Sequence, residues 1–308
     1  MAILESHDVW IHFNIYTGQL EKMDRVIETQ LLPLVNQLSK YIEVKKWFFI
    51  RYIDQNGPHL RFRVQVLKKD WKKAIEFVND KKPSIISYIK NLSHVKTRRL
   101  IPLKRKSPFM QTYVDVKLGL YDPEVKKYGG VEGMKYGESL FYISSKIVGE
   151  YISSINEQKI DRFELALVFM QELIEVAGLS LRDAHQFMSR YLMYWSGNPA
   201  KQNLASEFLA QASHKKEYVN QVLKNGESHV KNDYFHLYRD TFKELIELVD
   251  HSEVIQQTKL NILFHYLHMM NNRLGVWPIE EAYLSALLLV HLESINHTLV
   301  NSSPPSFV

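Results

Sequence analysis

One predicted β-strand carries the residues best suited to bind an anion. His59, Arg61 and Arg63 alternate with apolar residues, which places their three side chains on one face of the strand. Two guanidinium groups and an imidazole on one surface suit an anionic or carbonyl-rich ligand, because they offer several hydrogen-bond donors to oxygen. A solvent-facing side of a sheet explains this alternation equally well. The other face of the strand is expected in the core and comprises Leu60, Phe62, Val64 and Val66.

A second concentration of positive charge lies between Lys96 and Lys106, where no acidic residue occurs. Such a segment can attract an acidic peptide or a nucleic acid, and Arg98, Arg99 and Arg105 are its candidate contacts. A basic loop without a ligand is the alternative. Because no fingerprint of a nucleic-acid-binding module accompanies the segment, we do not expect nucleic acid as a partner.

The chain contains no cysteine, so histidine, tyrosine, serine, carboxylates and cations must carry any chemistry. This excludes a thiol nucleophile, thiolate-ligated metals and disulfides. His265 and His268 lie three residues apart on a predicted helix, but no carboxylate follows at metal-ligand spacing, and we expect no metal. Glycine-rich cofactor motifs and a serine-hydrolase motif are also missing, so no cofactor is expected.

The formal charge of +5 is moderate and fits many cytoplasmic proteins. No apolar run approaches the ~18 residues of a membrane span, and charged residues interrupt the first twenty positions. We therefore expect a cytoplasmic protein that does not enter a membrane.

The order of predicted elements, strands first and helices afterwards, indicates an α+β fold with a largely antiparallel sheet. The expected divisions are a sheet-rich half over 1–130, a helical half over 131–300 and a flexible tail over 301–308, within one compact family domain. Strands are predicted over 9–16, 47–52, 59–66, 95–103 and 109–121. Helices are predicted over 20–41 with a kink at Pro33, 70–80, 132–155, 161–177, 181–195, 206–224, 233–250, 254–274 and 279–300.

Three segments together resemble one protein family. WFFIRYID at 47–54 with GPHLRFR at 57–63 resembles the family pattern WFFIRY.D..PHLRLR; YDPEVKKYGG at 121–130 resembles Y..E..RYGG; and LHMMNNRL at 267–274 resembles HMH.NRL. The family is the C-terminal-type domain of class I lanthipeptide dehydratases, which also occurs as stand-alone thiopeptide enzymes, including those of thiocillin type. The resemblance spans nearly the whole chain, and it implies the sheet-plus-helices fold of the dehydratase elimination domains.

The resemblance implies two alternative activities. One removes glutamate from glutamylated Ser or Thr to leave a dehydroamino acid, and the other is pyridine synthesis, an aza-[4+2] cycloaddition of two dehydroalanines. Elimination-type members carry arginine where this chain has Lys127, and a second histidine where it has Met270. Lysine cannot form the two parallel hydrogen bonds that a planar guanidinium makes to a carboxylate, and the second histidine is missing. Both departures therefore favour pyridine synthesis over glutamate elimination. A non-catalytic scaffold that binds the leader peptide is a third alternative.

The resemblance also implies roles for individual residues. His268, Tyr283 and Glu281 are the candidate catalytic residues, although a glutamate at a helix start, Glu280 or Glu281, often only complements the helix charge. The expected partner is a dehydrated, azole-containing precursor peptide with an acidic leader, and dehydratase subunits are possible transient contacts. Because the tRNA-dependent glutamylating domain of the family has no counterpart here, tRNA is not expected. The candidate substrate-binding residues are His59, Arg61, Arg63, Lys127, Tyr128 and Arg273.

Overall fold

The computed structural model describes residues 8–93, 97–101, 113–197, 202–229, 233–251, 255 and 257–302. The chain divides into two compact units. Unit 1 comprises Met1–Val125 and Val131–Ile160, and unit 2 comprises Lys126–Gly130 and Asp161–Val308. The sequence-based division at residue 130 would have placed residues 131–160 with the helical half, whereas they group with the sheet.

Unit 1 is built on a four-stranded antiparallel sheet, whose strands are β1 (Asp8–Thr17), β2 (Val44–Asp54), β3 (Gly57–Leu67) and β4 (Val114–Gly119). Their order in the sheet is β2-β3-β1-β4. The predicted hairpin is confirmed, since β2 and β3 pair without a register shift from Lys46 and Gln65 to Asp54 and Gly57. The predicted alternation in β3 is confirmed as well, because Phe62 and Val64 are fully buried.

The two later strand predictions are confirmed only in part. The prediction over 95–103 is wrong for 97–101, which forms no strand, and its other residues lie outside the described ones. The prediction over 109–121 corresponds to β4, which begins at Val114, and residues 109–112 lie outside the described ones.

The predicted helix over 20–41 is a series of helical segments. A short 3₁₀ turn (Leu20–Lys22) and α1 (Met23–Val26) lead into a π-helical turn (Ile27–Leu31) and α2 (Leu32–Tyr41). The wide turn immediately precedes Pro33, which lacks the N–H of a regular helix, and this irregularity replaces the predicted kink.

The prediction that the next helix ends before Pro83 is wrong, because α3 (Trp71–Asn91) continues through this proline. Apolar residues recur at helical spacing on both sides of it, and Val78, Ile85 and Ile89 are all buried. Their packing outweighs the cost of about 3 kcal/mol that proline imposes inside a helix.

Helix α4 (Gly130–Asn156) covers the edge strand β2. The backbone N–H of Phe49 donates to Ser145 Oγ at 3.3 Å, so an outward-facing amide of the strand is satisfied by the helix. Phe48 and Phe141 pack with ring centroids 5.3 Å apart. The helix therefore protects this edge from pairing with another strand.

Unit 2 contains the remaining helices. The prediction of one helix over 206–224 is wrong, because the chain turns at 214–215 without a glycine or proline to signal the break. The tenth helix begins at Lys259 instead of near 254, and Thr258 caps it by accepting a hydrogen bond from the Asn261 amide. The helices are α5 (Arg162–Val176), α6 (Leu181–Trp195), α7 (Gln202–Ser213), α8 (Lys216–His229), α9 (Asp233–His251), α10 (Lys259–Leu274) and α11 (Pro278–Ser302).

Candidate functional site

A short turn joins α10 to α11 and fixes the residues on either side of it. Gly275 ends α10 in the left-handed conformation, with φ of 81°, which glycine adopts without strain. Pro278 starts α11, and Glu280 accepts a hydrogen bond from the Trp277 amide at 2.9 Å. Glu280 therefore acts as a helix cap, as the structural alternative in the sequence predicted.

The turn brings His268 of α10 against Glu281 of α11. His268 Nδ1 lies 2.8 Å from Glu281 Oε1; the carboxylate is fully buried, whereas the imidazole side chain is 23% exposed. Because a carboxylate accepts, Nδ1 carries the hydrogen and the neutral ring has its lone pair on Nε2. Nε2 has no hydrogen-bond partner within the described part of the chain. This carboxylate–histidine dyad has the geometry of a general acid–base group.

Two residues that the sequence analysis missed hold the carboxylate in place. Glu281 Oε2 accepts hydrogen bonds from the Tyr191 hydroxyl and, at 3.2 Å, from Asn271 Nδ2. Burial, together with the negative charge of Glu281, raises the pKa of Tyr191 well above its ordinary value, so its hydroxyl stays a donor. Asn271 lies three residues after His268, a spacing that places both on one helix face.

An aromatic ring covers the imidazole of the dyad. Trp195, the last residue of α6, stacks on His268 with ring centroids 4.6 Å apart and planes inclined by 26°. An indole face attracts a cation, so this contact stabilises the protonated imidazole. The ring orientation of His268 is therefore fixed by the carboxylate on one side and the indole on another.

Tyr283, the third predicted catalytic residue, lies away from the dyad. It comes two residues after Glu281, which is about 200° around an α-helix, so the two side chains leave α11 on opposite sides. Tyr283 is buried; its ring packs at 5.4 Å from Phe208 and lies 5.5 Å from the Lys215 ammonium. The expectation that Tyr283 and His268 point into one cleft is not met, because helical periodicity separates them.

The structure places Arg273 in the interior of unit 2. Its side chain is fully buried, and it donates to the Met269 carbonyl at 2.9 Å. Burial raises the pKa of the neighbouring Tyr266, and the charges of nearby phenols raise it further. Arg273 is thus enclosed and not exposed, and its expected role in substrate binding stays a prediction.

Lys127 and Tyr128 belong to the short segment Lys126–Gly130 that groups with unit 2. Tyr128 is buried, with its ring centroid 5.9 Å from that of His265, one turn before His268 on α10. Lys127 is partly exposed, and its ammonium lies 5.6 Å from the Tyr128 ring centroid. Of the two residues, Lys127 alone is placed where a ligand can reach it.

In unit 1, the predicted polar face of β3 is real, but aromatic rings cover much of it. His59 is buried, with its ring centroid 4.6 Å from that of Tyr16, and burial lowers its pKa. Arg61 is partly exposed and lies with its guanidinium carbon 3.4 Å from the ring centroid of Tyr52. Arg61 is thus the β3 cation most available to a ligand.

Arg63 is enclosed instead of exposed. Its guanidinium carbon lies 5.2 Å from the Phe48 ring centroid and 5.0 Å from that of Tyr121, and only 7% of the residue is exposed. The sequence predicted either a ligand-binding face or a solvent-facing side of the sheet. At Arg63 the face is neither, because aromatic rings cover the guanidinium. Arg63 is a packed cation that also contributes to the field of the face.

His12 of β1 lies opposite Arg63 in the sheet register and was not predicted as a site residue. Its Nδ1 lies 2.8 Å from the Leu120 carbonyl, and its Nε2 lies 3.0 Å from Asn14 Oδ1. Burial, reinforced by the positive charges of Arg63 and Arg61, lowers the pKa of His12 to about 4. His12 is therefore neutral near pH 7.

The basic segment is described only in part. Arg98 is exposed and Arg99 is partly exposed, within residues 97–101, which form neither helix nor strand. Arg105, with Lys96, Lys104 and Lys106, lies outside the described residues. The expected leader-binding role of this segment stays a prediction.

The described residues contain neither a metal-binding cluster nor a membrane-spanning helix. Among them, no three His, Asp or Glu side chains converge as a metal ion would require. Likewise, no helix in the described ranges is long and apolar enough to cross a membrane.

Comparisons with known proteins gave a family match and several structural likenesses. The sequence profile of the family described as "Lantibiotic biosynthesis dehydratase C-term" matches residues 10–292. No curated protein sequence matches significantly. The tRNA-dependent lantibiotic dehydratase MibB from Microbispora sp. 107891 is similar, with 17% identity and a TM-score of 0.61; the match covers 97% of this chain but 29% of MibB.

Two shorter proteins match over nearly their whole lengths. The pyridine synthase TbtD from thiomuracin biosynthesis is 13% identical with a TM-score of 0.65, over 94% of this chain and 99% of TbtD. TsrL is 12% identical with a TM-score of 0.57, over 97% of this chain and 100% of TsrL. At these identities the likenesses establish a shared fold.

Proposed function

Because the chain belongs to the family of lantibiotic biosynthesis dehydratase C-terminal domains, we propose that it is a pyridine synthase acting on a dehydrated, azole-containing precursor peptide. The reaction joins two dehydroalanines in a formal aza-[4+2] cycloaddition and aromatises the ring with loss of water and leader peptide. The His268–Glu281 dyad carries the proposal, since it supplies an acid–base group within the family motif. The likeness to TbtD supports it.

The first step is a proton shift within the substrate. One dehydroalanine must become the 2-azadiene, which requires the amide N–H proton to move to the carbonyl oxygen and give an iminol. His268 Nε2 accepts the proton and returns it to oxygen, so no proton is consumed. Buried Glu281 and stacked Trp195 stabilise the transient imidazolium.

Ring closure then forms two carbon–carbon bonds. One joins the β-carbons of the two dehydroalanines, and the other joins the iminol carbon to Cα of the second dehydroalanine. Holding a linear peptide with these atoms in contact supplies much of the rate enhancement. Aromatisation expels the hydroxyl as water and the leader as its carboxamide. Each departure also requires one proton to leave a ring carbon that was a β-carbon of a dehydroalanine. His268 can accept that proton and donate one to the leaving group, so the step is balanced.

Two departures from the family pattern favour this reaction over glutamate elimination. Lys127 offers a point charge where a guanidinium would hold a departing carboxylate through two parallel bonds. Met270, in the place of the second histidine, is buried in unit 2. Cycloaddition releases no glutamate whose carboxylate must be bound, so neither departure removes a group that this reaction needs.

Glutamate elimination is the alternative, and Arg61 favours it. This guanidinium is retained on the sheet face and is partly exposed, as a carboxylate-binding group should be. In that reaction His268 would remove the Cα proton of the glutamylated residue. The scaffold alternative makes no chemical use of either group and predicts binding of the leader alone.

Purified protein should convert a dehydrated, azole-bearing precursor into a pyridine macrocycle without an added cofactor, as followed by mass spectrometry. His268→Gln should abolish turnover because it removes the base, whereas Tyr283→Phe, on the opposite side of α11, should retain it. Release of glutamate from a glutamylated precursor, with no macrocycle formed, would establish elimination instead. Tight binding of leader alone with no turnover of either substrate would favour the scaffold.

A further inference from the structure

An aromatic corner lies beside the dyad, where α6 ends against α10. Trp195 is nearly parallel to Phe264, with ring centroids 5.8 Å apart and planes inclined by 16°, and it also stacks on His268. Phe264 and His268 are four residues apart on one helix, so they lie side by side on the same surface. Both rings pack on the indole, and Trp195 remains partly exposed.

Tyr194 forms the wall of this corner. Its ring is perpendicular to Trp195, with centroids 4.8 Å apart and an angle of 90°, and nearly perpendicular to Phe264 at 4.9 Å and 85°. Tyr194 is 63% exposed and the preceding Met193 is 46% exposed. Core packing does not account for large exposed side chains at this point, directly beside the imidazole of the dyad.

We propose that the corner formed by Trp195 and Tyr194 binds an azole ring of the precursor peptide, next to the dehydroalanine that reacts at His268. This inference rests on the proposed function and adds a site for one part of its substrate. A planar ring can pack on the exposed phenol and against the exposed part of the indole, in the stacked or edge-on arrangements that aromatic pairs prefer at centroid distances of about 4.5–7 Å.

The chemistry of the corner selects an uncharged, flat group. The rings of Tyr194 and Trp195 offer dispersion and stacking contacts instead of a charge partner. An azole is fused into the peptide backbone, so fixing its plane also fixes the direction of the chain on either side. That restraint helps a linear peptide to fold its two reacting residues together beside His268.

Tyr194→Ala tests the corner without touching the dyad, because the phenol contacts Trp195 and Phe264 but not His268. It should raise KM for the azole-bearing precursor about 3- to 10-fold, the scale of one lost aromatic pair, and leave kcat nearly unchanged. Tyr194→Phe keeps the ring and should behave like the wild type. Tyr41→Ala, at a similarly exposed tyrosine of unit 1, is the matched control and should have no effect.

A direct binding measurement separates this site from the reaction. A short leaderless peptide with two thiazoles should bind the full-length protein, and Tyr194→Ala should weaken its dissociation constant by the same 3- to 10-fold. The uncyclised cysteine peptide of equal length should bind weakly and be insensitive to the substitution. Equal thiazole-peptide affinity in the wild type, Tyr194→Ala and Trp195→Leu would overturn the site. Thiazole-peptide binding that Tyr194→Ala weakens, in a protein that forms no macrocycle, would support the site while refuting the proposed reaction.

Discussion

Replacing Glu281 by glutamine should move the ring hydrogen of neutral His268 from Nδ1 to Nε2, while every contact between non-hydrogen atoms is kept. Tyr191 and Asn271 both donate toward Oε2, so the amide oxygen of the glutamine must face them. Its NH₂ group then faces His268 Nδ1, which must become an acceptor. The hydrogen of the neutral imidazole moves to Nε2, and the nitrogen that should act as base loses its lone pair.

The size of the effect follows from these contacts. In Glu281→Gln, the reactive tautomer of His268 places its Nδ1–H against the NH₂ group of the glutamine. One of these donors is then unsatisfied, which costs about 1–3 kcal/mol for a buried donor. The charge-assisted bond to the imidazolium, worth about 1.5–3 kcal/mol, is lost as well. Together these losses predict a fall in kcat of about 10²- to 10⁴-fold. The variant should still fold, because its buried polar atoms keep partners.

Nitrogen-15 NMR of histidine-labelled protein tests the tautomer directly, with the His268 signals assigned from His268→Gln. For the neutral imidazole, the wild type should show the Nδ1–H form and Glu281→Gln the Nε2–H form, together with the loss of turnover. Glu280→Gln is the matched control: it removes the same charge from the adjacent residue, which instead caps the helix at Trp277. An unchanged tautomer in Glu281→Gln, or undiminished turnover, would refute the assignment of the dyad.

Substitutions at the sheet face, at the Lys127 departure and at Tyr283 should differ in their effects. As a candidate substrate-binding residue, Arg61 is expected to bind a carbonyl oxygen of the precursor, so Arg61→Ala should lower turnover by at least ~10²-fold at unchanged melting temperature; unchanged turnover removes Arg61 from the substrate-binding residues. Arg63→Ala should also lower the free energy of unfolding by about 1–3 kcal/mol, measured by chemical denaturation, because the enclosed side chain leaves a void; equal stability would contradict its packing role. Lys127→Arg should not produce glutamate release from a glutamylated precursor, and release would show that lysine alone blocks elimination. Tyr283→Phe should keep near-normal turnover, since its ring packs away from the dyad; a large loss would return Tyr283 to the mechanism. The pKa of His12 near 4 when folded lies below 6.5, so the unfolded chain binds more protons between these values. The free energy of unfolding should therefore fall by about 2–3 kcal/mol from pH 7 to pH 4, and His12→Gln should remove this component, which parallel pH curves would disprove.

The first three strands and most helices were predictable from local pattern, whereas the strand predicted over 95–103 and several helix ends were not. Alternation in β3 fixes which face is buried, because side chains of a strand point to opposite sides. The continuation of α3 through Pro83 depends on packing of Ile85 and Ile89 that a local breaker signal does not report. The break at 214–215 lacks any breaker residue, so only tertiary packing sets it.

The candidate site was predictable in part. His268 and Glu281 were found because they lie in or near a family motif, and the turn at Gly275 makes them meet. Asn271 could have been found from its spacing of three residues from His268. Tyr191 comes from a helix far away in sequence, and an aromatic residue in an apolar pattern looks like core. Its role follows only from the packing of α6 on α11.

The chemical form of the released leader tests the central claim most directly. Cycloaddition followed by aromatisation expels the leader as a carboxamide, because the nitrogen of the second dehydroalanine leaves with it. Intact-mass and fragment-mass measurement of the leader after incubation with the wild type should therefore show a C-terminal amide in equal amount to the pyridine macrocycle, and none with His268→Gln. A leader that stays attached while glutamate is released, or one that ends in a free carboxylate, would contradict pyridine synthesis.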